Sequence, residues 1–180
     1  GQDQLVFDGM SMVGDENAEW VHICPQFEES ICEIIVPSSS GSNRTVMLPE
    51  ISKEEQVFKG LVLGVHDYFA KTGHQKAVLG LSGGIDSAVT AVIAVAALGA
   101  DSVLGIAMPS KYSSDHSVTD AEVLAENLGM KYLNVPISSI FSGFQGTYVD
   151  SLGEPLKGLP EENLQARIRG NILMSFSNRD

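Results

Sequence analysis

Apolar residues in the first 36 positions of the chain occur in short runs separated by polar and glycine residues. This pattern predicts β-strands at 5–13, 20–23 and 31–36, with a turn between the first two at 14–17. Three short strands do not form a stable unit alone, so we expect them to belong to a larger sheet structure. The serine- and glycine-rich stretch that follows predicts a linker at 37–50.

After the linker, helical periodicity alternates with short apolar runs. The first helix is predicted over 52–71, because Ser52 and Glu55 form a capping box and Gly73 follows as a terminator. Strands are predicted at Ala77–Leu81, 102–108 and 131–135, and further helices at 88–98, 114–128 and 158–177. This alternation predicts βαβ units, so the expected fold class is α/β with a doubly wound parallel sheet. The first strand should be buried on both faces of that sheet.

The most informative stretch connects this first strand to an uncharged helix. It consists of Leu-Ser-Gly-Gly-Ile-Asp-Ser at 81–87. We interpret it as a phosphate-binding turn, in which the backbone N–H groups of Ser82, Gly83 and Gly84 and the positive end of the helix face one spot. A Walker A loop would need a lysine directly after the last glycine, and the dinucleotide fingerprint would need a glycine at position 82, so neither fits. The alternative is a structural turn in which Asp86 only caps the helix.

Charge and cysteine content exclude several classes of partner. The formal net charge is −12, and an acidic surface repels phosphate backbones and anionic membranes, so neither kind of partner is expected. Cys24 and Cys32 are too far apart for a Cys-x-x-Cys redox or zinc pair and too few for a disulfide framework, which favours a reduced, cytoplasmic setting. The histidines show no metal-ligand spacing and are interpreted as ordinary surface or core residues: His22, His66, His74 and His116.

Three motifs follow one another along the second part of the chain. After the loop at 81–87 come Met-Pro-Ser-Lys-Tyr-Ser-Ser at 108–114 and Glu-Glu-Asn-Leu-Gln-Ala-Arg-Ile-Arg-Gly at 161–170. The first motif resembles the signature loop of the N-type ATP pyrophosphatases. The three together resemble the synthetase domain of the glutamine-dependent NAD synthetases. The stretch at 1–9 is also similar to a late part of that family's nitrilase-like glutaminase domain.

This resemblance implies a fold and a domain arrangement. The sheet would be of the adenine-nucleotide hydrolase (ATP pyrophosphatase) type, preceded by a β-rich remnant of a nitrilase-like α/β sandwich. Residues 1–36 would be the end of the glutaminase domain, 37–50 a linker, and 51–180 the synthetase domain without its C-terminal end. By the family's pattern, a fourth strand would pair with Ala77–Leu81 on the side away from 102–108, so these residues alone are expected to be inactive.

The resemblance also implies a reaction and a site. ATP, deamido-NAD and ammonia from glutamine would give NAD, AMP and pyrophosphate through an adenylated intermediate. Asp86 would hold Mg²⁺, and Asn163 and Arg167 would contact deamido-NAD, while Arg169 points to another side of the same helix. No catalytic side chain is expected here, since the glutaminase nucleophile would lie upstream of Gly1. The residues implied to bind ATP are Gly80, Leu81, Ser82, Gly83, Gly84, Ile85, Asp86, Ser87 and Met108.

Two other functions are compatible with the glycine loop alone. Another N-type ATP pyrophosphatase, such as a GMP synthetase, an asparagine synthetase or a tRNA-thiolating enzyme, would share it, although the motif at 161–170 and the acidic charge disfavour these. A catalytically silent adenine-nucleotide-binding module is the alternative from a different class. Under the preferred interpretation the partners are small-molecule substrates, and the protein is a cytoplasmic homo-oligomer.

Overall fold

The computed structural model describes residues 5–34, 46 and 50–179. Contacts between residues divide the chain into two compact units, Gly1–Tyr68 and Phe69–Asp180. The division lies within a long helix, α1 (Lys53–Thr72). The expected linker at 37–50 lies outside the described residues except for positions 46 and 50, so the expected domain limits stay a prediction.

The first unit contains a short antiparallel hairpin. Strand β1 (Met12–Gly14) pairs with β2 (Trp20–Ile23), which confirms the second predicted strand. One carboxylate oxygen of Asp15 accepts hydrogen bonds from the backbone N–H groups of Asn17 and Glu19, both at 2.9 Å. These bonds lower the pKa of Asp15, and the bond from Glu19 contributes most. A short acidic side chain thus stabilises the predicted turn.

Two strand predictions for this unit are wrong. The residues before Met12 form no continuous strand, because Gly9 and Met10 adopt positive φ angles of 74° and 45° that bend the chain. Gly9 instead pairs with Gln26 in an isolated bridge. The described part of the third predicted strand, 31–34, is irregular, and the rest of it lies outside the described residues. A strand needs a pairing partner, which a local apolar pattern does not specify.

The structure also corrects the expectation that the cysteines and histidines form no group of potential ligands. The chain turns back after β2, and Phe27, with a φ of 58°, lies at that bend. Cys24, Cys32 and His22 come together, with their potential ligand atoms within 4.8 Å of one another. Sequence spacing does not show this grouping because the bend, and not a local motif, creates it.

Helix α1 begins as its capping residues predict. The hydroxyl of Ser52 accepts a hydrogen bond from the N–H of Glu55 at 3.1 Å, so one half of the predicted capping box is formed. The helix ends at Thr72, and Gly73 follows with a φ of 75°, the left-handed conformation typical of a C-terminal glycine. Among the described residues, no helix has both the length and the apolarity needed to span a membrane.

The second unit is built on a parallel three-stranded sheet. Its strands are β3 (Ala77–Leu81), β4 (Val103–Ala107) and β5 (Lys131–Asn134), paired in the order β3-β4-β5. The connections contain α2 (Ile85–Leu98), a short 3-10 helix (Ala100–Ser102) and α3 (Asp115–Leu128). Two helices follow the sheet, α4 (Ser138–Leu152) and α5 (Leu159–Ser177). The strands and helices predicted for this unit are confirmed, with small shifts at their ends.

Helix α4 is a regular element of this unit that the sequence pattern does not predict. It contains two glycines, Gly143 and Gly146, and several serines, all of which lower helix propensity. The helix forms because Phe141 and the preceding Ile137 are buried in the same core cluster as Ile106 of β4. Tertiary packing therefore overrides local propensity here.

Side chains of the sheet alternate between its two faces, and helices cover both. Leu81 and Val103 belong to a core that includes Ala91 of α2. Ile106 points to the other face, in a core that includes Ile168 of α5. Helices on both faces of a parallel sheet define a doubly wound α/β fold, so the predicted fold class is confirmed.

Strand β3 lies at the edge of the sheet that the described residues form, with β4 as its partner. Leu81 is buried, whereas the other four residues of β3 are half-buried. The prediction of full burial on both faces is therefore only partly correct. An edge strand has one neighbour instead of two, which leaves its side chains more accessible.

Alanine substitutions of two glycines in this unit should have opposite effects on stability. A Cβ at Gly105 would lie 2.6 Å from Leu81 Cδ1 and 2.8 Å from Met130 Cε, so Gly105→Ala should lower the free energy of unfolding by about 1–3 kcal/mol. A Cβ at Gly146 meets nothing within 4 Å, so Gly146→Ala should raise it by up to about 1 kcal/mol through helix propensity. Urea denaturation measures both changes, and changes of equal sign would contradict the packing argument.

Candidate active site

Two serines hold the loop between β3 and α2 in shape. The hydroxyl of Ser87 accepts a hydrogen bond from the N–H of Ser82 at 3.3 Å and donates one to the carbonyl of Gly84 at 2.9 Å. The hydroxyl of Ser82 accepts from the N–H of Gly84 at 3.2 Å and lies 3.1 Å from the Ser87 hydroxyl. These side chains tie the start of the loop to the first turn of α2.

The same hydrogen bonds correct part of the predicted anion site. The N–H groups of Ser82 and Gly84 donate within the loop, so they do not face a ligand in this conformation. Donors are still available to an anion in the first turn of α2, whose N–H groups have no carbonyl partner within the helix. An anion at this point would meet these N–H groups and the positive end of the helix dipole.

Asp86 lies beside these donors and is not the cap of α2. The N-cap residue is Gly84, and no side chain of the described residues caps the helix there. Asp86 occupies the first turn with an exposed side chain. The alternative that this residue serves only as a structural cap is therefore wrong. An exposed carboxylate next to an anion-binding helix end is a suitable ligand for a divalent cation that accompanies a phosphate.

Gly83 packs against the first turn of α3 more closely than a residue with a side chain could. Its φ is 76°, and a Cβ at this position would lie 2.6 Å from the Cα of Ser117 and closer still to its carbonyl oxygen. Ser117 is in turn held by Ser114, the N-cap of α3, whose hydroxyl accepts from its N–H at 3.2 Å. The glycine loop and the start of α3 therefore form one close-packed corner.

A second loop, 108–114, follows β4 and is fixed to α5 at two points. The Nε of Arg169 donates a hydrogen bond to the carbonyl of Met108 at 3.1 Å. The hydroxyl of Tyr112 donates to Oε1 of Glu161 at 2.9 Å. Helix α5 therefore positions this loop at the carboxyl end of β4.

Lys111 gives this second loop a positive charge. Its Nζ lies 4.7 Å from the centre of the Tyr112 ring and 5.7 Å from that of the Phe141 ring, distances typical of cation–π contacts. The Tyr112 side chain, with a smaller contribution from the Glu161 charge, raises the pKa of Lys111 above its ordinary value. The amine therefore stays protonated at neutral pH.

The two loops border a cleft of about 410 Å³ at the carboxyl ends of β3 and β4. Arg169 and Ser117 contribute to its walls. Residues from the predicted ATP-binding set that line this cleft are Gly80, Leu81, Ser82 and Met108. Leu81 also lines a cavity of about 330 Å³ against α3, together with four other members of the set: Gly83, Gly84, Ile85 and Ser87. Asp86 lines neither of these two spaces. The predicted residues therefore face two sides of the glycine loop.

An adjoining cleft of about 560 Å³ shares Arg169 with the first one. It is also lined by Tyr112, Glu161 and Gln165. Gln165 is buried, with 8% of its surface exposed. Gln165 and Arg169 are four residues apart and so share one face of α5. This face joins the two clefts.

The residues predicted to contact deamido-NAD lie elsewhere on α5. Asn163 and Arg167 are both exposed, and neither is among the lining residues of the two clefts. The sequence alone predicts no role for Arg169 or Gln165. A usable signal was the two-residue separation of Arg167 and Arg169, which places the two guanidinium groups on different sides of a helix.

Comparison with known proteins assigns the chain to a family. The family model of NAD synthase matches residues 57–180. The chain belongs to the NAD synthase family. The motifs at 81–87, 108–114 and 161–170 all lie within the matched residues. The chain is 46% identical to the glutamine-dependent NAD(+) synthetase of Synechocystis sp. over 182 aligned residues. The alignment covers 99% of this chain and 32% of that relative.

Solved structures of the family are similar as well. The glutamine-dependent NAD+ synthetase from Acinetobacter baumannii, in complex with ADP, matches with a TM-score of 0.86 and 38% identity over 99% of this chain and 34% of its own. The NH3-dependent NAD synthetase from Campylobacter jejuni matches with a TM-score of 0.62 and 27% identity over 71% of this chain and 53% of its own. The chain thus spans about a third of the length of these glutamine-dependent relatives.

Proposed function

We propose that this chain is part of an enzyme that converts deamido-NAD to NAD, using ATP and ammonia from glutamine and releasing AMP and pyrophosphate. The observation that carries the proposal is the cleft at the carboxyl ends of β3 and β4, bordered by the glycine loop and Arg169. Ligands of doubly wound sheets bind at this end of the strands. The names of the relatives in the family support the same reaction.

ATP would bind with its phosphates at the start of α2. The first-turn N–H groups favour negative charge there. Leu81, Met108 and Leu173 offer apolar surface in the same cleft for the base. The relative from Acinetobacter baumannii was solved with ADP, which supports adenine-nucleotide binding by this chain. The loop residues 80–87 remain the proposed ATP site.

Asp86 fits the role of a magnesium ligand. Its exposed carboxylate lies in the first turn of α2, beside the proposed phosphate site. Mg²⁺ in nucleotide sites is usually held by one or two carboxylates together with phosphate oxygens and waters. When bound, the ion would neutralise part of the phosphate charge. A carboxylate beside phosphates without a cation would only repel them.

The reaction requires this chain to position charged groups and needs no covalent bond to the enzyme. The nicotinate carboxylate attacks the α-phosphate and pyrophosphate leaves; ammonia then attacks the adenylated carbonyl and AMP leaves. Arg169 is oriented by its hydrogen bond to Met108 and lies between the two clefts, where its guanidinium would bind the oxygens that gain charge. The N–H groups of α2 would hold the departing pyrophosphate.

The adjoining cleft is suited to the second substrate. Because it shares Arg169 with the first cleft, a carboxylate bound there would lie next to the α-phosphate of a bound nucleotide. Asn163 and Arg167 remain proposed contacts for deamido-NAD on the exposed side of α5. A long dinucleotide, or a second copy of the chain in a homo-oligomer, would reach that side.

Glutamine is the proposed source of ammonia. The glutamine-dependent relatives from Synechocystis sp. and Acinetobacter baumannii each match 99% of this chain, the first unit included. The first unit would then be the end of a glutaminase domain, and its nucleophile would lie in another part of the full-length protein. We further propose a cytoplasmic setting without nucleic-acid or membrane partners, in keeping with the net charge of −12.

Product stoichiometry tests this function in the protein expressed from its complete gene. Deamido-NAD, ATP, Mg²⁺ and glutamine should give NAD, AMP and pyrophosphate in equal amounts. Formation of ADP and phosphate, or amidation of another acid in place of deamido-NAD, would reject the proposal. ATP binding without turnover would favour the silent module.

Arg169→Gln should lower kcat/KM by about 100-fold, while Lys131→Gln, at the amino end of β5, should leave it unchanged.

The hydrogen bond between Tyr112 and Glu161 should affect substrate binding more than turnover. Tyr112→Phe removes the hydroxyl that fixes the second loop to α5, so we expect KM for deamido-NAD to rise by about fivefold with little change in kcat. Glu161→Ala, which removes the accepting oxygen, should have a similar effect. Steady-state kinetics of the two single variants and the double variant measure the coupling. Fully additive effects would show that the pair does not act as a unit.

A further inference from the structure

The first unit contains a group of potential metal ligands that the proposed function does not use. The Sγ of Cys24 donates a hydrogen bond to the Sγ of Cys32 at 3.5 Å. His22 completes the group, and the three potential ligand atoms all lie within 4.8 Å of one another. Two sulfurs and one imidazole nitrogen are thus gathered at one point.

The fold of this unit holds the three residues in place. His22 lies in β2, and Cys24 follows it by two residues in extended chain, so their side chains point to the same side. The backbone N–H of Cys24 donates to the carbonyl of Ser11 at 2.9 Å, which continues the pairing of the hairpin. Cys32 arrives on the segment that returns after the bend at Phe27.

His22 gives independent support for a bound ligand. Its Nε2 atom is buried and has no hydrogen-bond partner among the residues that the structure describes. Buried polar atoms in folded proteins almost always have a partner, so each exception calls for an explanation. An imidazole nitrogen beside two sulfurs is well suited to bind a metal ion.

We propose that His22, Cys24 and Cys32 bind a zinc ion. Zn–S bonds of about 2.3 Å and Zn–N bonds of about 2.0 Å in a tetrahedral site place neighbouring ligand atoms about 3.5–3.8 Å apart. Two zinc-bound sulfurs lie at the upper end of this range, so the sulfur–sulfur distance of 3.5 Å needs to widen by only about 0.3 Å on binding. On binding, both thiols release their protons to solvent, and His22 binds through its neutral imidazole. Water takes the fourth position, since Cys32 is exposed.

A disulfide between Cys24 and Cys32 accounts for the sulfurs but not for the histidine. It would leave the buried Nε2 of His22 without a partner, whereas a zinc ion bound through that nitrogen would satisfy all three side chains. The ion would also connect the hairpin to the segment 29–34, which has no regular secondary structure. The site would therefore stabilise this unit, and the inference is independent of the proposed reaction.

Zinc content of the protein expressed from its complete gene tests the site. Purified without chelators, it should hold one more equivalent of zinc than the triple variant His22→Gln/Cys24→Ser/Cys32→Ser, as measured by elemental mass spectrometry. Each single variant should lose the same equivalent, and the control His74→Gln should keep it. Replacement by Co²⁺ should produce a thiolate-to-cobalt charge-transfer band that the variants lack.

Thermal unfolding keeps the test decisive if a variant folds poorly. A chelator should lower the Tm of the unaltered protein, added zinc should restore it, and the triple variant should not respond. Two results would overturn the proposal. One is equal zinc content in the unaltered protein and the triple variant. The other is a Cys24–Cys32 disulfide found by non-reducing mass spectrometry in protein purified without oxygen.

Discussion

Gly83→Ala should abolish nucleotide binding and destabilise the second unit. The left-handed φ of 76° is unfavourable for a residue with a Cβ by about 1–2 kcal/mol. The new methyl group would also lie 2.6 Å from the Cα of Ser117, so the loop would have to move away from α3. Together these effects should lower the free energy of unfolding by about 2–4 kcal/mol. The displaced loop would no longer direct the first turn of α2 at the phosphates.

Gly84→Ala is the matched control for this substitution. Gly84 has a φ of −89°, which any residue adopts, and a Cβ there would meet only the hydroxyl of Ser82 at 3.3 Å. Urea denaturation and calorimetric titration with Mg-ATP should therefore show a small change for Gly84→Ala and a large one for Gly83→Ala. Similar losses in both variants would show that the loop tolerates no side chain at all and that the contact with Ser117 is not the cause.

The second unit was predictable because local sequence features specify its strands and helices. Each strand of the sheet is a short apolar run bounded by turn residues, and each of the helices α2, α3 and α5 has a recognisable start or end. Ser114 caps α3 with its hydroxyl, and Gly129 ends the same helix at a φ of 67°. The parallel topology follows from the order of these elements along the chain. The exception, α4, depends on the burial of Phe141 and not on its own composition.

The first unit was less predictable because its structure depends on long-range pairing and on unusual backbone conformations. Met10, Ala18 and Phe27 all have positive φ angles, which residues with side chains adopt uncommonly. No apolar pattern signals such positions. The bend at Phe27 both ends the expected continuation of the sheet and brings Cys32 back to His22 and Cys24. Because this bend and not a short sequence spacing brings the three residues together, the sequence pattern does not predict the proposed zinc site.

The candidate site was predicted at the level of loops, and the structure refines it at the level of atoms. Motif spacing predicts a nucleotide site at the glycine loop, but it cannot show that Ser82 and Gly84 use their N–H groups within that loop. It also cannot show which arginine of α5 faces the cleft, because that depends on how the helix is rotated against the sheet. The burial of Ile168 fixes this rotation and directs the neighbouring Arg169 toward Met108.

Asp86→Asn should weaken ATP binding in the presence of Mg²⁺ by at least about tenfold. Asparagine keeps the size of the side chain, and Asp86 does not cap α2, so the substitution removes little more than the charge. Without Mg²⁺ the sign should reverse, since the carboxylate then only repels the phosphates at the start of α2. The affinity of Asp86→Asn for ATP should therefore be nearly independent of the metal ion.

Asp101→Asn is the control, because Asp101 lies before β4, at the opposite end of the strands from the cleft. Calorimetric titrations of both variants with ATP, with and without Mg²⁺, give four affinities to compare with those of the unaltered protein. Asp101→Asn should retain the full enhancement by Mg²⁺. If Asp86→Asn also retained it, the carboxylate would not be a metal ligand, and the anion-binding end of α2 would have to act with cations held by other residues. Loss of ATP affinity by the same factor with and without Mg²⁺ would instead indicate that Asp86 maintains the loop conformation, a role that the structure gives to Ser82 and Ser87.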